Sequence, residues 1–406
     1  MELDILNNGI KVLYEKSTSN VTSICIGFNG GAIEEENKKF PFGTAHALEH
    51  MISKGTINRN EKEINELSDS IFGFENAMTN YPYVVYYGTV LNEDFIKALD
   101  FYSDILINPS FPEKGFKEEM DVISEELREW KEDLYQYSED KLLKNSFYKR
   151  RIKERIIGNE NSIKNISLET IKEFYNKYYT PENCTISIVS SLHKGTVIEL
   201  IKEYFEGFVK DYTEINKEEY ESITSGIYKN YKKGMEGCKI SIFYPIHDLD
   251  EIEIDALRIF NNEFGVGTSS ILFDEIRTKN GLAYDVGSII KNERGIKLYK
   301  IYLGTSKEKA ERCIDIIKES IEKAKKIENN FTEEKIRKIY KSIKLRKEIR
   351  HESSIRLALD MTTYELMYKG DKNLDRYLSN IEKIDDKLIH KVINKVFKEG
   401  SIEMLL

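Results

Sequence analysis

GTAHALEHMISKGT, residues 43–56, is the stretch on which the reading of this chain turns. On a helix His46, Glu49 and His50 fall at i, i+3 and i+4, so the three side chains share one stripe. Ala45, Leu48 and Ile52 form an adjacent apolar stripe that can face a core. Thr44 is a candidate N-cap, Lys54 falls in the last turn and Gly55 suits a left-handed position after it, which predicts a short helix over residues 44–54. Two imidazoles one turn apart can bind one Zn²⁺ at about 2.0–2.1 Å, and the carboxylate between them is placed to hydrogen-bond a water on that ion. The order HxxEH is the inverse of HExxH and carries the same chemical logic. The alternative is a surface helix with two His by accident, which the low His content (6 in 406) disfavours.

A catalytic zinc keeps three protein ligands and an open position, so a third ligand is needed. One long helix is predicted over residues 113–145, with Phe116, Met120, Ile123, Leu127, Trp130 and Leu134 as a core-facing stripe. Glu119 and Glu126 lie two turns apart on one face of it. The helix also carries Glu118, Glu125 and Glu129, and composition alone does not choose among the five.

Further out, alternating apolar residues predict strands at Ile10–Tyr14, Ile24–Phe28, Tyr83–Tyr87 and Thr185–Val189. Helices are expected near 60–72, 93–107, 167–179 and 195–207. After a polar stretch the programme repeats, with strands at Lys239–Phe243 and Ile296–Leu303 and helices at 306–325 and 332–350. Phe111 matches Phe331, Ile166 matches Ile384, and Thr185-Ile186-Ser187-Ile188 matches Ser401-Ile402-Glu403-Met404. Three markers with nearly one offset argue for two copies of one αβ domain. The expected division is residues 1–210, a linker at 211–230 and a second domain at 231–406.

The length alone calls for more than one core, since cores tend to stop growing at about 250–300 residues. The net charge of −9 makes a poor general nucleic-acid binder. No apolar run of about 18 residues offers a membrane span, and the first residues lack the pattern of a signal peptide. Cys25, Cys184, Cys238 and Cys313 are scattered without CxxC, as expected of reduced, buried thiols in a cytoplasmic protein.

Residues 43–56 resemble the pattern GxaHflEHMxfKGT of the pitrilysin/insulinase family of zinc metallopeptidases, which includes the mitochondrial processing peptidase and its bacterial relatives. Asn76-Ala77-Met78-Thr79 through Tyr86-Tyr87 is similar to the family's edge strand, and Glu119 to Leu127 to its acidic helix. Phe264 to Ser270 resembles its glycine-rich loop, and LFDEIRTKNGLAYDVGS, 272–288, the following segment with an Arg/Tyr pair, here Arg277 and Tyr284. Departures are Ser53 in place of the usual Phe, and KRRIKERIIG, 149–158, which keeps only Gly158 of a longer motif. The second copy has Ser270, Phe273 and Asp274 where HxxEH would stand, and Arg346 where Glu126 does, so one metal site per chain is expected.

The resemblance implies an α+β fold of two homologous domains, each a mostly antiparallel sheet packed with helices. It implies one Zn²⁺ per chain held by His46, His50 and Glu126, Glu49 as general base, and Glu119 as a supporting acid. It places Tyr284 at the developing oxyanion, Arg277 on the substrate backbone or an acidic partner, and Asn76, Ala77, Met78 and Thr79 along an extended peptide. The expected activity is endopeptidase cleavage of short or unfolded peptides. The expected assembly is a homodimer of clamshell form, with a heterodimer with a related chain as the variant, and with neither nucleic acid nor membrane as partner. The competing readings are a non-catalytic partner subunit, a small-molecule metal hydrolase or lyase, and a dedicated leader-peptide maturation peptidase.

Overall fold

The computed structural model describes all 406 residues except 36–38, 218, 328, 369–377 and 379–380. The chain forms two compact units, Met1–Arg128 with Glu154–Glu218 and Glu348–Asp375, and Glu129–Lys153 with Glu219–Lys347 and Arg376–Leu406.

The first half of the chain supplies β1 (Glu2–Ile5), β2 (Lys11–Lys16), β3 (Val21–Phe28), α1 (Thr44–Ile52), α2 (Glu61–Ile71), β4 (Phe72–Thr79), β5 (Val84–Leu91), α3 (Phe95–Ile107), α4 (Glu113–Trp130) and α5 (Leu134–Ser146). It continues with α6 (Glu160–Lys164), α7 (Leu168–Tyr178), β6 (Cys184–Ser190) and α8 (Lys194–Phe205). The second half supplies β7 (Gly226–Asn230), β8 (Gly237–Pro245), α9 (Glu251–Gly265), a π-helical turn Phe273–Thr278, β9 (Ala283–Glu293), β10 (Ile296–Ser306), α10 (Ala310–Lys326), α11 (Glu333–His351), α12 (Ser354–Tyr368), α13 (Asp386–Val396) and β11 (Ser401–Leu405).

The sheet of the first unit has the order β1-β2-β6-β3-β5-β4, and that of the second β7-β11-β8-β10-β9. The two agree strand for strand from β2 and β7 onward. In each, the second of these strands pairs parallel with the first and antiparallel with the third, and the remaining pairs are antiparallel. This is the duplicated αβ domain of the sequence reading. Central strands such as β3 and β6 are buried along nearly their whole length, the small Thr22, Ser23, Thr185 and Ser187 side chains between their apolar residues included.

Three expectations need correction. The long helix over 113–145 is two helices. Asp133 caps the second with hydrogen bonds from the Tyr135 and Gln136 amides, so the chain turns after Trp130. Leu134 therefore leaves the stripe, and the buried face of α4 is Gly115, Glu119, Ile123 and Leu127. The linker at 211–230 ends in strand β7, which pairs with β11 and covers what would otherwise be an open sheet edge. Glu218 within that stretch lies outside the described residues.

The third concerns the helices. The compact units do not follow the chain halves, because each sheet is covered on one face by a helix from the other half. α12 packs on β3 and β6 in the first unit. Thr362 Oγ1 donates to the Cys25 carbonyl at 3.2 Å and bonds Ser187 Oγ at 2.7 Å. Gly27 admits it: a Cβ there would lie 2.7 Å from both Leu366 Cδ1 and Thr362 Cγ2. In the second unit α5 packs on β8 and β11, and buried Glu139 pairs with Lys291 at 2.8 Å and with Lys300.

Candidate metal centre

The site is built on α1. Its N-cap is Gly43 at φ 99°, one residue before the expected Thr44, which is the first helical residue. A Cβ on Gly43 would lie 2.4 Å from the Ile157 carbonyl oxygen, and one on Gly158 2.3 Å from that of Phe42. Glycine at both positions thus lets the helix start press against the 157–158 backbone. The buried Glu35 carboxylate accepts from the Gly43 and Ala45 amides at 3.1 and 2.8 Å, an anion at the positive end of the helix. The helix ends at Ile52 with Ser53 as its C-cap.

His46, His50 and Glu126 come together, with one ligand atom from each within 4.8 Å of the others. Glu126 Oε2 lies 3.8 Å from His46 Nε2 and 3.6 Å from His50 Nε2. A tetrahedral ion with bonds near 2.1 Å separates its donors by about 3.4 Å, so these residues fit one zinc-sized ion after small side-chain shifts. Glu126 leaves 40% of its side chain exposed, so the cluster opens to solvent on that side.

Burial separates the five glutamates between residues 118 and 129 of α4. Glu118, Glu125 and Glu129 are exposed, Glu126 is half-buried and Glu119 is buried in the packing stripe. Glu119 Oε2 lies 2.6 Å from His50 Nδ1, and its other oxygen bonds Lys54 Nζ at 2.5 Å. Lys54 also pairs with Glu61 at 2.6 Å. Burial opposes ionisation of Glu119, but hydrogen bonds from His50 and Lys54 outweigh it and hold the carboxyl below its usual range. An ionised carboxylate only accepts, so His50 Nδ1 carries a proton and Nε2 is the nitrogen that faces Glu126.

Burial, reinforced by the neighbouring His50, pushes His46 down to about 3, which keeps it neutral and able to donate a lone pair. Its Nδ1 is buried without a hydrogen-bond partner among the described residues. For His50, burial is outweighed by the Glu119 hydrogen bond and the Glu126 and Glu49 charges, which raise its pKa. Burial also raises the Glu49 carboxyl, while a hydrogen bond from Thr79 Oγ1 to Glu49 Oε2 pulls it back.

That bond ties the base to β4, which is the open edge of its sheet. Asn76, Ala77, Met78 and Thr79 pair on one side with Tyr87, Tyr86, Val85 and Val84 of β5, and no strand pairs with their other side among the described residues. Arg277 and Tyr284 belong to the second unit, on the π-helical turn and on β9, the strand equivalent to β4. The Arg277 guanidinium lies 4.8 Å from the Phe273 ring centroid and 4.6 Å from that of Tyr284, whose ring is 80% exposed. The pair borders a cleft of about 790 Å³ with Lys239, Asp285 and Lys309 in its lining.

Sequence reasoning missed Glu35, Lys54 and the clamp from Thr79 to Glu49. Lys54 was visible only as a helix-end charge, and nothing in the spacing points from residue 54 to residue 119. The other four histidines have local partners: His193 caps α8, His247 stacks on Tyr220, His351 faces Asp360 and His390 faces Asp386. All four cysteines are buried free thiols. Among the described residues no helix is long and apolar enough to cross a membrane.

Residues 11–160 match the family model described as insulinase (peptidase family M16), and residues 165–342 match that described as peptidase M16 inactive domain. Over 400 residues, 97% of this chain and 94% of the relative, the sequence is 25% identical to an uncharacterized zinc protease of Bacillus subtilis. Over 210 residues, 50% of this chain and 43% of the relative, it is 32% identical to the beta subunit of the mitochondrial-processing peptidase of Dictyostelium discoideum. A protease structure from Helicobacter pylori matches with a TM-score of 0.87 at 23% identity, covering 100% of this chain and 99% of that one. A peptidase M16 inactive domain from Pseudomonas fluorescens matches at 0.86 and 16%, covering 100% and 97%. These two structural likenesses establish the fold.

Proposed function

The chain belongs to the insulinase (M16) family of peptidases, and from that premise we propose that it is a zinc-dependent endopeptidase acting on short or unfolded peptides. The observation that carries this reading is the convergence of His46, His50 and Glu126 one helical turn from Glu49. Those three residues would hold the ion, which when bound polarises the scissile carbonyl and lowers the pKa of water.

The chain's own groups supply the rest. Glu119 fixes the His50 ring and its tautomer through the 2.6 Å contact, and Lys54 keeps Glu119 ionised. Glu49 is a half-buried carboxyl of raised pKa, which sharpens it as a base. It takes a proton from the attacking water and passes it to the leaving amine. Thr79 holds the Glu49 carboxylate in place through its hydroxyl and its backbone. Residues Asn76 to Thr79 offer an edge that no strand covers among the described residues to an extended peptide, which recognises backbone more than sequence. Tyr284 would donate to the developing oxyanion and Arg277 would hold substrate backbone, from the second unit of a partner copy in a homodimer.

The reading is tested by digesting an unfolded peptide with the purified protein before chelation, after chelation and after Zn²⁺ is restored, with products identified by mass spectrometry. Cleavage that is lost with the metal and recovered with zinc is the expected result. Undiminished cleavage by fully demetallated protein contradicts it.

A further inference from the structure

We propose that Glu75, on the open edge strand beside the catalytic carboxylate, forms a subsite that selects a lysine or arginine side chain of the peptide. The proposal rests on the peptidase reading above and adds a substrate preference to it.

Successive side chains of a strand alternate faces, so Glu75, Ala77 and Thr79 share one face of β4. The irregularity in the β4–β5 register falls between Phe72 and Phe74, so the alternation is unbroken from Phe74 to Thr79. Thr79 hydrogen-bonds Glu49. Glu75 therefore points to the same side as the base, two steps back along the strand from the residue that touches it. Asn76 and Met78 point the other way, and Met78 packs against the buried apolar cluster that includes Val85 and Leu366.

Glu75 is half-buried and makes no hydrogen bond and no salt bridge among the described residues. Most buried carboxylates in this chain do have partners: Glu119 has His50 and Lys54, and Glu139 has Lys291 and Lys300. An unpaired carboxylate out of water is costly, and a protein keeps one at little benefit to its fold. Burial, and then the Glu49 charge, raises the Glu75 carboxyl to about 7, and a cation placed beside it would lower it again.

The inner side cannot supply that cation. Glu75 pairs across the sheet with Gly88. A Cβ on Gly88 would lie 2.7 Å from Phe72 Cδ1 and 2.8 Å from Tyr102 Oη, so two aromatic rings fill the space beside the Glu75 position. The Tyr102 hydroxyl is fully buried and has no hydrogen-bond partner among the described residues, a second unmet polar group at the same place. A carboxylate next to aromatic rings is a good seat for an ammonium or guanidinium group.

The open direction is the strand edge, where a peptide would pair with β4. In such pairing, residues directly opposite on neighbouring strands have Cβ atoms about 4.5–5.5 Å apart on the same face. The peptide residue opposite Glu75 thus presents its side chain to the carboxylate, two positions from the residue opposite Ala77. Charge complementarity at such a contact is read as specificity.

The test uses the zinc-loaded, full-length protein and fluorogenic peptides of one scaffold, with Lys, Arg, Gln or Glu placed in turn at each position within about four residues of the cleaved bond. The wild type is expected to favour Lys or Arg over Gln at one position by about 10–100-fold in kcat/KM. Glu75→Gln should remove that preference while leaving turnover of the Gln peptide within about threefold, which also reports that the variant is folded. Glu75→Lys should turn the preference at that position toward Glu. A basic preference that survives unchanged in both variants, or no charge preference at any position, overturns the subsite and leaves the peptidase reading intact. Failure of the wild type to cleave any peptide overturns both.

Discussion

The contact from Glu119 to His50 Nδ1 decides which nitrogen of the ring faces Glu126, and it does so from a residue that does not itself join the ligand cluster. Supporting carboxylates of this kind typically set metal affinity by about 10–100-fold. Glu119→Gln is accordingly expected to weaken zinc binding by that factor, read by competition with a chromophoric chelator, and unchanged affinity would remove Glu119 from the account. Thr79 acts on the base in the same manner. Its hydroxyl stabilises ionised Glu49 against the burial that raises its pKa. Without that bond the folded-state pKa rises further, and the ionised base is lost at higher pH. Thr79→Val should therefore move the acidic limb of kcat/KM to higher pH, and an unmoved limb argues that the bond does not govern the base. Of this site, the HxxEH triplet was legible because a helix places i, i+3 and i+4 together. Glu126 was legible only through family resemblance, since the glutamates of α4 look alike until burial distinguishes them. Glu75 gave no signal at all: its meaning comes from an unpartnered position on a sheet edge, which exists only after folding.

Among the elements, the strands were readable because half-buried and buried strands write their alternation into the sequence. The three repeat markers implied two copies of one αβ domain, and the sheets repeat one strand order from β2 and β7 onward. The break between α4 and α5 was not readable as such, because the apolar spacing runs through it and only the Asp133 cap marks the turn. Nor could local pattern assign α12 to the sheet formed by the first half, a pairing across more than 330 residues exemplified by Thr362 and Cys25. This exchange has a consequence. Without α12, the apolar face of Leu13, Cys25, Val85 and Val189 in the first sheet would be open to water. Residues 1–217 and 219–406 expressed separately are expected to be insoluble or to lack cooperative unfolding, and to recover both on co-expression. A first half that alone unfolds cooperatively by circular dichroism would show that α12 is dispensable to its sheet.

At the scale of the molecule, the duplication leaves the ligand set in the first copy and the exposed Arg277 and Tyr284 pair in the second. If one copy's pair serves another copy's ligand set, two crippled chains should complement each other. Mixing Glu49→Gln with Tyr284→Phe, each nearly inactive, is expected to restore part of the activity under conditions where subunits exchange. Absence of recovery despite demonstrated exchange contradicts assembly of the site from two chains. The account as a whole stands on Glu49 as the base beside a three-residue metal site. Its most direct test is the rate of peptide hydrolysis by Glu49→Gln carrying a measured full complement of zinc. The expected result is a fall of about 10²–10⁴-fold with the metal retained; hydrolysis near the wild-type rate by that zinc-loaded variant would contradict it.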